Sequence, residues 1–158
     1  MQSRFNSYQA APKGYRAMLG LQTYVDSCGL DHSLLELVKT RASQINGCAY
    51  CIDMHTKDAR ALGESEQRLY LLSAWRESPG FTERERAALD WTEAVTMVTE
   101  GHVPDDVYDR VKQQFGEEEM VNLTLAIVAI NGWNRLSIAF RAVAGAYQSK
   151  FTQQKAQA

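Results

Sequence analysis

The sequence has 158 residues, of which 45% are hydrophobic and 23% are charged, and its formal net charge is −2. These values are ordinary for one globular domain that is long enough to bury a core without disulfide bonds. The slight negative charge argues against nucleic acid as a partner, since that would need a basic surface. Residues 1–17 lack the apolar segment of a secretion signal, and the apolar stretch 120–130 is too short to cross a bilayer. We therefore expect a cytoplasmic protein with no membrane partner.

Hydrophobic residues recur at helical spacing almost throughout the chain, and no segment alternates as a strand would. Two local signals mark helix ends: Thr82 and Glu85 have the spacing of a capping box, and Gly63 is placed as a C-terminal cap. The pattern predicts one all-α domain over residues 1–158, with about six to eight helices, an interruption at Asn131–Gly132 and a polar tail at about 148–158. The predicted helices, in chain order, cover residues 18–25, 34–45, 48–62, 69–75, 82–98, a short segment between 104 and 116, and 117–144.

The segment Cys48-Ala49-Tyr50-Cys51, followed by His55, carries the candidate chemistry. On a helix these cysteines and His55 fall within an arc of about 60°. His55 lies four residues after Cys51, so its imidazole could take the thiol proton and stabilise the thiolate. Cys48 lies one turn back, within reach of a disulfide to Cys51, and its place at the helix start favours ionisation. The spacing predicts a thiol oxidoreductase that attacks a peroxide or disulfide and then closes an internal disulfide.

Glu36 is a candidate third member of this group. The short connection Asn46–Gly47 predicts a hairpin of two antiparallel helices. Glu36 would then stand about 15 Å along one helix and His55 about 12 Å along the other, at similar heights. A carboxylate there would orient the imidazole and raise its basicity. Glu36 also lies off the apolar stripe of its helix, so a solvated surface glutamate is the alternative.

The same residues allow other interpretations. A zinc site would need Glu36, His32 or Cys28 as a fourth ligand, and no second Cys/His pair exists, so we expect no metal. The cysteines could also be a purely structural buried pair. Other residues are expected in structural roles: Cys28 in the core, Arg41 and Arg135 in ion pairs, and Trp75, Trp91 and Trp133 as core or interface anchors.

The stretch from Glu36 to His55 resembles the core motif of the alkylhydroperoxidase AhpD / carboxymuconolactone decarboxylase family. That motif is a glutamate, eleven residues, CxxC, three residues and a histidine, and this chain matches it at every spacing over residues 36–55. The segment from Asn131 to Arg135 is also similar to the family, so the resemblance covers roughly residues 34–144. It implies an all-helical AhpD-like domain that assembles as a homotrimer or homohexamer.

In the peroxidase branch of that family, the resemblance implies that Cys51 is the peroxide-reactive sulfur, Cys48 the resolving one, and His55 with Glu36 a proton relay. It implies a hydroperoxide substrate, an external thioredoxin-like or lipoyl dithiol as reductant, and no bound cofactor. The best-known peroxidases carry a second histidine between the cysteines, where this chain has Tyr50. The decarboxylase branch generally lacks the cysteine pair, so its presence argues for redox chemistry. A decarboxylase-like enzyme and an oligomeric redox sensor without turnover remain the alternatives.

Overall fold

The computed structural model describes residues 2–149 and 151–152, and every regular element within them is helical. The predicted all-α class is therefore confirmed. Two 3₁₀ turns, Leu72–Ala74 and Val98–Glu100, extend helices α5 and α6. Of the predicted polar tail, residues 150 and 153–158 lie outside the described residues. The α-helices are α1 (Ser7–Ala10), α2 (Pro12–Asp26), α3 (His32–Asn46), α4 (Ala49–Leu62), α5 (Glu66–Leu71), α6 (Glu83–Thr96), α7 (Asp105–Lys112) and α8 (Glu117–Phe140).

Local capping signals define the ends of the helices that carry the site. Helix α3 ends at Gly47, whose φ of 68° is left-handed and therefore suits glycine. Gly63 ends α4 in the same way, with a φ of 109°. The capping box of Thr82 and Glu85 opens α6, as its spacing predicts. Because only Gly47 and Cys48 separate α3 from α4, the two helices form the predicted hairpin and pack along their lengths.

Helix α8 differs from its prediction in two ways. It runs unbroken through Asn131–Gly132. It also ends at Phe140 rather than near residue 144, because the next residue, Arg141, adopts a left-handed conformation. Gly132 lies where α8 contacts α2, and a side chain there would be too close to α2: a Cβ would lie 2.8 Å from Met18 Cε. Asn131 donates hydrogen bonds to Ile127 O and to Thr96 Oγ1 on α6. Both residues therefore serve helix packing and do not interrupt the helix.

Helix α3 is the central element, because α4, α6 and α8 all pack against it. The largest core cluster joins α3 to α2, α6, α7 and α8, and each large aliphatic side chain buried there contributes about 1.5–3 kcal/mol. With neighbours on most sides, α3 buries even its polar positions. A smaller cluster on the hairpin side comprises Ala42, Cys48, Cys51 and Ile130, with Tyr50 and Trp133 packed against it. The cysteine pair therefore lies in a core layer between α3, α4 and α8.

Within the described part of the chain, α8 is the one helix long and apolar enough to cross a membrane by length and composition alone. The prediction that its apolar stretch is too short counted only residues 120–130, whereas the helix has 24 residues. In this fold α8 packs against α2, α3 and α6 as a core helix. Only a third of its most apolar segment is buried, however, which leaves an apolar face outside.

Candidate active site

The cysteine pair is arranged by the start of helix α4. Cys48 is the N-cap residue, with extended backbone angles, and its Sγ accepts the backbone N–H of Cys51 at 3.4 Å. The Sγ atoms of Cys48 and Cys51 lie 2.7 Å apart, in hydrogen-bond contact. Both are free thiols and both are buried. The two sulfurs are therefore already in contact before any oxidation.

Of the two cysteines, Cys48 is the one whose thiol ionises more readily. The hydrogen bond from the Cys51 thiol lowers the pKa of Cys48 to about 6 against the opposing effect of burial, and the Cys51 backbone N–H adds to this. Donating that same hydrogen bond raises the pKa of Cys51 well above its usual range, and burial raises it further. The two thiols titrate as one pair, in which Cys48 ionises first while Cys51 keeps its proton.

Glu36 and His55 face each other across the hairpin. Glu36 is only 3% exposed, so the solvated alternative is wrong. Its Oε2 lies 2.7 Å from His55 Nδ1, and its Oε1 accepts a hydrogen bond from Lys39 Nζ at 3.0 Å. Burial raises the pKa of Glu36, but the hydrogen bond and charge of His55, together with the Lys39 ammonium, outweigh it and hold that pKa below its usual value. The ionised Glu36 carboxylate accepts a hydrogen bond from the Nδ1–H group of His55. In this arrangement Nε2 is the basic nitrogen of the imidazole.

Spacing along the helix allows the His55 imidazole to approach the Cys51 sulfur. Among the described contacts, the hydrogen bond of His55 goes to Glu36 and none goes to a thiol. The two residues are instead joined by a cavity of about 370 Å³ that both of them line. A proton that passes between them would therefore travel through whatever molecule occupies the cavity.

Both cysteines are buried, but only one of them borders the cavity. Cys51 borders it, whereas Cys48 is absent from its wall. Two kinds of side chain surround Cys51 there. The charged and titratable group comprises Asp26, Glu36, Lys39, His55 and Asp58, and the aromatic and apolar group comprises Tyr15, Leu19, Tyr50, Met54, Trp133 and Tyr147.

The cavity residues that sequence reasoning missed include Lys39, Asp58 and Tyr147. The hydroxyl of Tyr147 donates to both carboxylate oxygens of Asp58 at 3.0 Å, so the segment after α8 folds back over α4. Lys57 on α4 anchors the same segment through the carbonyl oxygens of Gly145 and Tyr147. Only the i,i+3 spacing of Lys39 from Glu36 was visible in the sequence, and it resembles an ordinary surface ion pair.

A buried polar side chain of helix α8 forms hydrogen bonds with helix α3 of the hairpin. Asn134 is fully buried, accepts a hydrogen bond from Asn46 Nδ2 at 2.8 Å and donates to Ser43 Oγ at 3.1 Å. Side-chain hydrogen bonds from Asn134 and Ser137 also lower the pKa of Cys51 and partly offset the effects that raise it. The segment after Asn131 therefore acts on the cysteine pair through buried hydrogen bonds.

A metal ion is poorly accommodated in this arrangement. Within the described residues, Glu36, His55 and Asp58 have potential ligand atoms within 4.8 Å of one another. Their carboxylate oxygens are already bonded to Lys39, His55 and Tyr147, and the Lys39 ammonium supplies the positive charge. The cysteines do not belong to this group, so the zinc alternative built on both cysteines and His55 is not assembled.

The remaining predicted residues have mixed outcomes. Cys28 packs half-buried against the main core, and Arg41 forms its predicted ion pair with Glu93 at 2.8 Å. Arg135 was expected in an ion pair but instead donates to the backbone and side-chain oxygens of Asn131. Trp75 and Trp91 are buried, as core anchors should be, whereas Trp133 borders the cavity.

A helical hairpin with a CxxC pair at one helix start and a buried glutamate–histidine pair between its helices defines an AhpD-like core domain. Residues 11–94 match the carboxymuconolactone decarboxylase family, and the chain belongs to that family. It is 45% identical over 139 residues to the uncharacterized protein YdfG of Bacillus subtilis, covering 88% of this chain and 95% of YdfG. It is 32% identical over 111 residues to the uncharacterized protein YnjA of Escherichia coli, covering 70% of this chain and 58% of YnjA.

Solved structures show the same fold. ATU0492 from Agrobacterium tumefaciens, a protein of unknown function proposed to be the antioxidant defence protein AhpD, superposes with a TM-score of 0.89. It is 46% identical, and the match covers 92% of this chain and all of ATU0492. The debrominase Bmp8 superposes with a TM-score of 0.78 at 21% identity, over 87% of this chain and 74% of Bmp8. The latter similarity concerns the fold alone.

Proposed function

We propose that the protein is a thiol peroxidase that reduces organic hydroperoxides through a Cys48–Cys51 dithiol/disulfide cycle, with His55 and Glu36 as a proton relay. The observation that carries the proposal is the placement of Cys51. Its sulfur borders a cavity shared with His55 and is in hydrogen-bond contact with a second sulfur of lowered pKa. A peroxidase of this type needs one accessible sulfur and one resolving sulfur within reach of it.

The reaction begins when the Cys51 thiol loses its proton and attacks the terminal peroxide oxygen. The S–O bond forms as the O–O bond breaks, and the departing alkoxide takes up one proton, which yields an alcohol and a Cys51 sulfenic acid. The Cys48 thiolate then attacks the Cys51 sulfur, and the hydroxyl group leaves as water with a second proton. His55, with Nδ1 held by Glu36, is placed to pass these protons through the cavity. An external thioredoxin-like or lipoyl dithiol of the cytoplasm reduces the disulfide by exchange and restores both thiols.

Cumene hydroperoxide consumption with dithiothreitol as reductant tests the proposal. We expect turnover by the wild type, with the Cys48–Cys51 disulfide as the main oxidised form and Cys28 still alkylatable after denaturation. The reason is that the first two sulfurs are in contact, whereas Cys28 packs against a different core cluster. Peptide mapping by mass spectrometry checks the disulfide, and Cys28→Ser is the matched control that keeps wild-type turnover.

Two outcomes would contradict this proposal. A disulfide that forms once per protein molecule and is not recycled by any dithiol would favour the redox-sensor alternative. Absence of both peroxide consumption and disulfide formation would favour a decarboxylase-like enzyme.

We further propose that the protein is a homotrimer or homohexamer that buries the outer face of α8. That face presents Val121, Val128 and Ile138 to solvent, with exposed fractions of 58%, 49% and 47%. Tyr24 on the neighbouring helix α2 is also half exposed. Exposed apolar side chains along one helix are typical of subunit contacts in closed homo-oligomers.

Light scattering at micromolar concentration is expected to give a multiple of the 17.8 kDa chain mass. Val128→Asp should lower that mass, because a charge at the centre of the apolar face opposes its burial. Glu118→Gln, on the exposed first turn of the same helix, is the control and should leave the mass unchanged. A monomeric wild type would refute the assembly.

A further inference from the structure

We propose that Lys39 is a positioning residue of this site: its ammonium holds the Glu36 carboxylate turned toward His55, and its positive charge opposes the addition of a proton to the His55 imidazole. The inference rests on the proposed function, since it assigns the residue that regulates the same relay. Lys39 itself touches neither thiol in the described contacts and is not placed among the reacting groups.

Folding alone does not explain why the charged side chain of Lys39 is buried. The residue is only 4% exposed, and its Nζ lies 3.0 Å from Glu36 Oε1 and 3.6 Å from Asp26 Oδ1. Withdrawing an ammonium from water costs several kcal/mol, and well-packed apolar residues in place of buried ion pairs are often neutral or stabilising. A buried lysine between two carboxylates is therefore better explained by the charge that it supplies to the cavity.

A line of hydrogen bonds fixes the lysine in this position. The indole N–H of Trp133 on α8 donates to Gln22 Oε1 at 3.1 Å, and Gln22 Nε2 donates to Asp26 Oδ1 at 2.8 Å. Asp26 at the end of α2 then faces Lys39 on α3, which in turn reaches Glu36. Residues from α2, α3 and α8 are thus linked to the Lys39 ammonium, either directly or through hydrogen bonds. They hold its positive charge beside Glu36 and His55.

The charges around His55 explain why the ammonium matters. Two carboxylates, Glu36 and Asp58, have oxygens within 4.8 Å of a His55 ring nitrogen, so negative charge surrounds the imidazole. A protonated His55 could not accept a proton from the substrate or a thiol. Lys39 neutralises one of the two carboxylates and opposes a second positive charge nearby. The titratable groups that face this cavity are Tyr15 and Asp26 of α2, Glu36 and Lys39 of α3, Tyr50, Cys51, His55 and Asp58 of α4, and Tyr147 after α8, while α8 contributes only the non-titrating Trp133 and Ser137.

The test compares the NMR titration of the His55 imidazole in purified wild type, Lys39→Met and Lys39→Arg. Removal of the charge should move the midpoint at which His55 gains its proton upward by about one pH unit, a tenfold change in proton affinity. Lys39→Arg should restore a midpoint near that of the wild type. Lys112→Met is the matched control, because Lys112 lies exposed on α7, does not border the cavity and should not move the midpoint.

An unshifted midpoint in a folded Lys39→Met would overturn the inference and leave Lys39 a structural residue. If Lys39→Met does not unfold cooperatively, Lys39→Gln decides, since it keeps a hydrogen-bond donor and loses only the charge. The titration needs no peroxide, so the two proposals fail separately. A shifted midpoint without peroxide turnover supports the role of Lys39 and counts against the peroxidase, whereas turnover with an unshifted midpoint counts against Lys39.

Discussion

Replacing Cys51 with serine is expected to lower peroxide turnover about a thousand-fold or more, to the background rate of the reductant alone. Cys51 borders the cavity, whereas Cys48 is absent from its wall. The loss should be complete even though Cys48 has the lower pKa, because a thiolate without access to the peroxide cannot attack it. Turnover of cumene hydroperoxide with dithiothreitol measures the effect.

Cys48→Ser separates attack from resolution. This variant should also stop turnover, but it should accumulate a Cys51 sulfenic acid that a dimedone probe traps, because the resolving sulfur is gone. The matched comparison is Cys51→Ser, which should give little trapped adduct. If mass spectrometry instead placed the adduct on Cys48 in Cys51→Ser while Cys48→Ser stayed unreactive, the two sulfurs would exchange roles and Cys51 would be the resolving residue.

The pH dependence of the wild type follows from the same pair. Cys48 is ionised above about pH 6, and in the second step it attacks the Cys51 sulfenic acid as a thiolate. Below that pH, Cys48 is protonated and cannot make this attack. In single-turnover experiments we therefore expect the rate at which the Cys51 sulfenic acid converts to the disulfide to fall as the pH drops below about 6 and to level off above it.

The largest loss of stability is expected from Glu93→Ala, at about 3–5 kcal/mol in the free energy of unfolding. Glu93 is a buried residue of α6, and its Oε1 accepts hydrogen bonds from Arg41 Nε and Trp75 Nε1, each at 2.8 Å. Its Oε2 accepts from Arg76. Removing the carboxylate leaves Nε of the mostly buried Arg41 side chain and the Trp75 N–H without their acceptor. Urea unfolding at a fixed protein concentration measures the change, since oligomers gain stability with concentration.

Glu83→Ala provides the control for this prediction, because Glu83 lies exposed in the first turn of the same helix. It should cost less than about 1 kcal/mol. A loss for Glu93→Ala no greater than that of the control would show that the cluster around Glu93 contributes little net stability.

Much of the fold could be predicted from the sequence because its signals act over a few residues. Gly47 and Gly63 end helices in left-handed conformations that glycine adopts without strain, and the capping box at Thr82 depends on residues three positions apart. The break expected at Asn131–Gly132 was wrong for the opposite reason. There the contact between Gly132 and Met18 joins residues more than a hundred positions apart, and it overrides the low helix propensity of glycine.

By itself, the sequence determined the all-helical class, the α3–α4 hairpin and the four central residues of the candidate site: the cysteine pair, Glu36 and His55. Spacing along helices dictates which side chains share a face, so Cys48, Cys51 and His55 could be grouped, and a short connection set Glu36 opposite His55. Only the tertiary structure decided that Glu36 is buried, since α3 is surrounded by three helices. It also decided that Cys51 and not Cys48 meets the cavity, and that Lys39 stands beside the relay. Burial and charge at these positions depend on atoms contributed by distant segments, which no local pattern in the chain specifies.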